Sequence, residues 1–77
     1  MDYIVTERIM KDALDKKVQI LFIRNMSHWE EGILKEAGQE DYYYLENDEP
    51  IHLFRRFDVL DMYLIEDDKA PIPLVLF

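Results

Sequence analysis

The chain has 77 residues, no cysteine, and seventeen acidic against nine basic side chains, for a net charge of −8. These counts exclude disulfides and thiolate–metal centres. They also make a nucleic-acid backbone or an anionic membrane surface a poor partner, because both are gripped through Lys and Arg. Hydrophobic residues are 49% of the chain and aromatic ones 13%, too many for intrinsic disorder. At this length they imply one small domain that buries about 60% of its unfolded surface. The acidity favours solubility or a basic protein partner. Met1-Asp2-Tyr3 opens without a basic region and a following apolar run, so no signal peptide is expected. The longest uncharged apolar stretch, 71–77, is far short of the ~20 residues of a membrane span. A cytoplasmic location is the expectation.

Residues 2–15 predict a helix. Val5, Ile9 and Ala13 recur at four-residue spacing, and Met10 and Leu14 widen the stripe. Thr6 is an N-cap if Tyr3-Ile4-Val5 is an extended lead-in. Lys11, Lys16 and Lys17 suit the C-terminal end of the dipole. Residues 17–25 predict the first strand, with Val18, Ile20 and Phe22 on one face and Gln19, Leu21 and Ile23 on the other. Both faces are largely apolar, as in a central or helix-covered strand. Asn25-Met26-Ser27-His28 predicts a turn and 29–36 a second strand. Its Gly32 marks a bulge, a bend or a close backbone approach. Residues 42–46, 51–55 and 59–65 predict three more strands. Turns are expected at 37–39 and 47–50, and one 3₁₀ turn around Arg55-Arg56-Phe57-Asp58. Residues 66–69 predict a solvated loop. Pro71 and Pro73 disfavour helix and central strand, so the apolar tail 74–77 is expected to add an edge strand to its own sheet or a neighbour's.

Five strands at about ten-residue spacing point to a barrel or sandwich. The order of Val18-Gln19-Ile20-Leu21-Phe22, Glu31-Gly32-Ile33-Leu34, residues 42–47, Ile51-His52-Leu53-Phe54 and Phe57-Asp58-Val59-Leu60-Asp61-Met62 resembles the Sm-like barrels. Among them it is most similar to the YolD-like small proteins of Gram-positive bacteria and their mobile elements. The resemblance covers about fifty of the 77 residues. It implies a barrel fold and a bacterial or phage setting near error-prone polymerase genes, and it leaves ring assembly through the edge strands, common in Sm proteins, open. The RNA-reading features of Sm proteins are missing. The relevant loop here is Lys35-Glu36-Ala37-Gly38-Gln39-Glu40, without the Asn, and no glycine follows Gly38. The fold expected is mainly β (α+β): an N-terminal helix over 1–16, a five-stranded Sm/SH3-like barrel over 17–66, and an acidic loop with an apolar C-terminal strand over 67–77.

Catalysis finds no constellation. A Ser–His–acid triad would need Ser27 with His52, since His28 shares the turn with Ser27. His28, His52 and Glu30 lack short metal-ligand spacing, and two glycines make no phosphate loop. No enzyme, cofactor or metal is therefore expected. Tyr42-Tyr43-Tyr44 carries the strongest functional signal. Alternation sends Tyr42 and Tyr44 to one face and Tyr43 to the other with Leu45, and exposed tyrosine is typical of protein interfaces. The contact residues expected are Trp29, Tyr42, Tyr44, Arg55 and Arg56, with Glu40 and Asp41 among the acids that steer a basic partner. The leading reading is a non-enzymatic protein-interaction module, self-association through edge strands being open. Two alternatives stand beside it. One is an acidic inhibitor whose carboxylates imitate duplex phosphates; the other is an Sm-like RNA binder, which the net charge disfavours.

Overall fold

The computed structural model describes residues 5–39 and 41–75. The helix α1, Glu7–Asp12, begins where Thr6 stops the chain from being helical. Thr6 is extended (φ −89°, ψ 164°), and its hydroxyl oxygen accepts the Ile9 N–H at 3.2 Å. That satisfies one of the donors a helix start leaves open. Thr6 is thus the N-cap, and the helix is shorter than the apolar spacing alone implies. Residues 1–4 of the expected helix lie outside the described residues. At the far end Asp15 takes φ 66°, a left-handed conformation that Asp tolerates better than most residues. Its N–H then reaches the Leu34 carbonyl at 2.8 Å. Val5, Met10 and Ala13 are buried, and Ile9 and Leu14 pack partly against the same core.

Five antiparallel strands follow: β1 Lys17–Phe22, β2 Asn25–Glu36, β3 Tyr43–Glu46, β4 Val59–Leu64 and β5 Ile72–Pro73, in the order β3-β2-β1-β4-β5. β1 is central, as its two apolar faces require, and Val18, Ile20 and Phe22 are its buried side. The sheet has two edges, β3 and β5, and does not close into the expected barrel.

Three boundaries differ from the sequence reading. The first hairpin turns at Ile23 and Arg24 rather than at 25–28, since Phe22 already pairs with Asn25. The Ile23 N–H is fixed on the Asp58 carbonyl at 3.0 Å. The turn-forming side chains of Asn25 and Ser27 satisfy each other at 2.9 Å while the backbone stays extended. Between the Ile20–Glu30 and Phe22–Asn25 pairs, Leu21 alone faces four residues of β2, so the start of β2 bulges away from β1. The expected fourth strand, 51–55, shrinks to one bridge. Tyr43 and Phe54 exchange two hydrogen bonds, at 2.8 and 2.9 Å. Ile51 and Leu53 alternate correctly for a strand but remain 65% and 56% exposed, with no sheet face to cover them. Lastly, the C-terminal edge strand forms at Ile72–Pro73, where the proline's missing N–H costs nothing on an edge. Leu74 and Val75 then turn into the core. Residues 76 and 77 of the expected tail strand lie outside the described residues. The 3₁₀ turn is where the sequence puts it, at Arg56–Asp58, and the Asp58 carboxylate accepts the Arg55 N–H at 2.9 Å.

The core is apolar throughout: Val18, Ile20, Phe22, Leu34, Tyr43, Leu45, Phe54, Val59 and Met62, closed by α1 and Val75, with no buried polar side chain among the described residues. Gly32 lies where β2 passes from pairing with β1 alone to pairing with β3. A Cβ there would sit 2.9 Å from the Glu46 carbonyl oxygen and 3.1 Å from both Leu45 Cβ and Asn47 Nδ2. The glycine therefore marks a close backbone approach. No helix among the described residues is long and apolar enough to cross a membrane.

Candidate functional site

β2 outruns its neighbour. β3 pairs with residues 33–36 only, so the first half of β2 projects past the end of β3. The turn after β3 folds back alongside it. Asn47 holds that turn in place: its amide Nδ2 donates to the Glu31 carbonyl at 2.7 Å, and its Oδ1 accepts the Glu49 N–H at 2.9 Å. Between the two segments runs a groove lined by His28, Trp29, Glu30, Glu31, Asn47, Glu49, Pro50 and His52. Its lining therefore includes three carboxylates, two imidazoles and an indole. The Trp29 ring packs at a tilt against Tyr63, with ring centroids 5.4 Å apart. Glu31 is paired with Lys17 at 3.2 Å. Close by in the chain, Met26 at 63%, Ile51 and Leu53 are exposed apolar side chains. No group of three or more His, Asp or Glu side chains among the described residues is placed to hold a metal ion.

The expected contact residues do not form one surface. Trp29 belongs to the groove. Tyr44 lies opposite Lys35, about 20 Å further along β2 at ~3.3 Å per residue. Tyr42 is elsewhere again, with Arg55 over its ring at 5.4 Å and over Phe57 at 5.0 Å. Arg56 lies 4.2 Å from the Phe57 centroid and donates to the Val5 carbonyl at 3.3 Å. The two arginines therefore tie the 3₁₀ turn to the chain around it, and neither lines the groove with Trp29. Asp41 shapes the turn into β3 with φ 66°, and Glu40 lies outside the described residues. The alternation expected within 42–44 holds: Tyr43 is buried with Leu45, while Tyr42 and Tyr44 are half-buried. Sequence reasoning missed Asn47, Glu49, Pro50 and Glu31 as neighbours. Their turn composition was readable, but not the fold-back that sets them against β2.

Two groups titrate away from their ordinary values. Burial pushes the Tyr43 hydroxyl up, helped by the charges of Glu36, Asp41 and Glu7. Lys35 is also raised, first by its 2.8 Å hydrogen bond to Asp15 and then by that carboxylate's charge. Both groups hold their protons longer folded than unfolded. The unfolded chain therefore loses protons first as pH rises past about 10, and stability falls. The urea midpoint is expected to be insensitive to these groups below about pH 10 and to drop above it. Tyr43→Phe is expected to flatten that drop, and an unchanged slope would remove Tyr43 from it.

No protein-family model, curated protein or solved structure matches the chain.

Proposed function

We propose that the protein is a non-enzymatic interaction module that takes a basic protein partner into the groove between β2 and the 47–52 segment. One observation carries this reading: Glu30, Glu31 and Glu49 line one groove with Trp29, on a chain of net charge −8. Carboxylates there set orientation and on-rate for a cationic surface, the indole offers a face for Lys or Arg, and Met26, Ile51 and Leu53, close by in the chain, supply exposed apolar area. The central β1, the long β2 relieved at Gly32 and the 3₁₀ turn before β4 support a further reading. In it, the sheet is an opened relative of the Sm/SH3-like barrels, near the YolD-like proteins, and the Tyr43–Phe54 bridge is the remnant of a fourth strand.

The test immobilises the protein and a Glu30→Gln/Glu31→Gln/Glu49→Gln variant and offers both a bacterial extract. A partner held by the wild type is expected to bind the variant roughly 3- to 100-fold more weakly, the combined worth of three exposed charge contacts, and to lose its preference in high salt. Equal retention by both proteins removes the groove from the function. A partner that duplex DNA displaces would move the reading to an acidic inhibitor of a DNA-binding protein.

A further inference from the structure

We infer that the groove receives its partner as an added β-strand on the bare edge of β2, an inference that rests on the basic-partner reading above. The backbone register fixes which groups face the groove. The Leu34 N–H donates to the Lys16 carbonyl at 3.0 Å, so on the β3 side of the bulge Glu30, Gly32 and Leu34 turn their N–H and C=O toward β1. Glu31 and Trp29 then turn theirs the other way. The Asn47 amide, which donates to the Glu31 carbonyl from that side at 2.7 Å, confirms the direction. Asn47 thus takes the place of a neighbouring strand's N–H and ends the β3 side of the ladder. Beyond it, no strand among the described residues pairs with Trp29 on that edge. The 47–52 segment stands across the groove without pairing.

An exposed strand edge is a template for another strand, and proteins blunt such edges with charges (lysine above all), proline, bulges or a covering loop. Here the bulge lies before Glu30, and residues 25–32 contain neither lysine nor proline. The charges present, Glu30 and Glu31 with Glu49 opposite, choose the occupant. They repel a second copy of a chain with net charge −8 and attract an extended segment that carries Lys or Arg. Alternation along an added strand places one set of side chains over the groove floor and the other against Trp29. The partner expected is therefore an extended segment in which basic residues alternate with apolar or β-branched ones.

The probe is a capped decapeptide of alternating Lys and Val, titrated into ¹⁵N-labelled full-length protein. Two analogues carry N-methyl groups on the Lys amides or on the Val amides, and an alternating Lys-Pro decapeptide matches the charge. Amide shifts at Trp29 and Glu31 are expected with the Lys-Val peptide. One N-methylated analogue is expected to bind at least tenfold more weakly and the other about as well as the parent, because only one set of peptide amides faces β2. Equal affinity for all four peptides would overturn strand addition and leave the basic-partner reading standing. Absence of shifts with any of them at millimolar concentration would overturn both. Shifts at the same amides that follow protein concentration without peptide would overturn the inference in favour of a second copy.

Discussion

Gly32→Leu is expected to lower the thermal midpoint by about 12–24 °C, the equivalent of about 3 kcal/mol in a domain of this size. The obstacle is backbone. An added Cβ would meet the Glu46 carbonyl oxygen at 2.9 Å, and that oxygen retreats only if β2 and β3 part. A leucine carries three further carbons toward Leu45 and Asn47, so relief by rotation of a flexible side chain is not open to it. Loss of the β2–β3 pairing also removes the Asn47 clamp on Glu31, and with it one wall of the groove. Gly32→Ala meets the same carbonyl with less bulk and is expected to fall between wild type and leucine. Circular dichroism melts of the three proteins decide the matter. A leucine variant within a few degrees of wild type would show that the approach at Gly32 is loose.

Phe54→Ala is expected to cost more, about 3–5 kcal/mol for the transfer and cavity terms of a fully buried aromatic ring. Its ring lies edge-on to Phe22 with centroids 4.8 Å apart and tilted against Tyr43 at 6.2 Å. A domain of this length has about 4–12 kcal/mol in all, so the variant sits near its unfolding threshold. The neighbouring Leu53→Ala is the control. Leu53 is 56% exposed, and its removal is expected to change stability by no more than about 0.5 kcal/mol. The contrast between adjacent positions, read from urea midpoints, tests whether segment 51–55 is anchored by one residue or behaves as a strand. Comparable losses at both would restore the strand.

The alternation in Val18, Ile20 and Phe22 made β1 legible, and the same two-residue period separated Tyr43 and Leu45 from Tyr42 and Tyr44. Gly32 was legible because a glycine inside an apolar strand gives up packing area and is kept where the backbone bends or a neighbour comes close. What local pattern could not give was pairing. Ile51-His52-Leu53-Phe54 alternates as well as any strand in the chain, yet only Phe54 finds a partner, because the sheet offers no second strand to hold the rest. Asn25 and Ser27 have turn-forming chemistry, but they spend it on each other while Ile23 and Arg24 make the reversal. Trp29 was found as a candidate contact by its residue type. Its companions in the groove come from eighteen to twenty-three residues further along, and nothing in the local sequence marks that meeting. Of the other expected contact residues, Tyr42 and Arg55 do meet, and Arg55 and Arg56 both lie over the Phe57 ring, a meeting that local pattern does not mark either.

The central place of β1 also sets the order in which the chain acquires its structure. Its hairpin with β2 closes over a two-residue turn and forms on the microsecond scale of isolated hairpins. Its other flank waits for β4, whose Leu64 must find Val18 from more than forty residues away. The loop-closure entropy of that step comes due before Met62 and Val59 are buried to offset it. The arrival of β4 on a preformed hairpin is therefore the step expected to limit the folding rate. Until then one hydrogen-bonding edge of β1 is unpaired, and the chain's high negative charge works against association of such half-formed molecules.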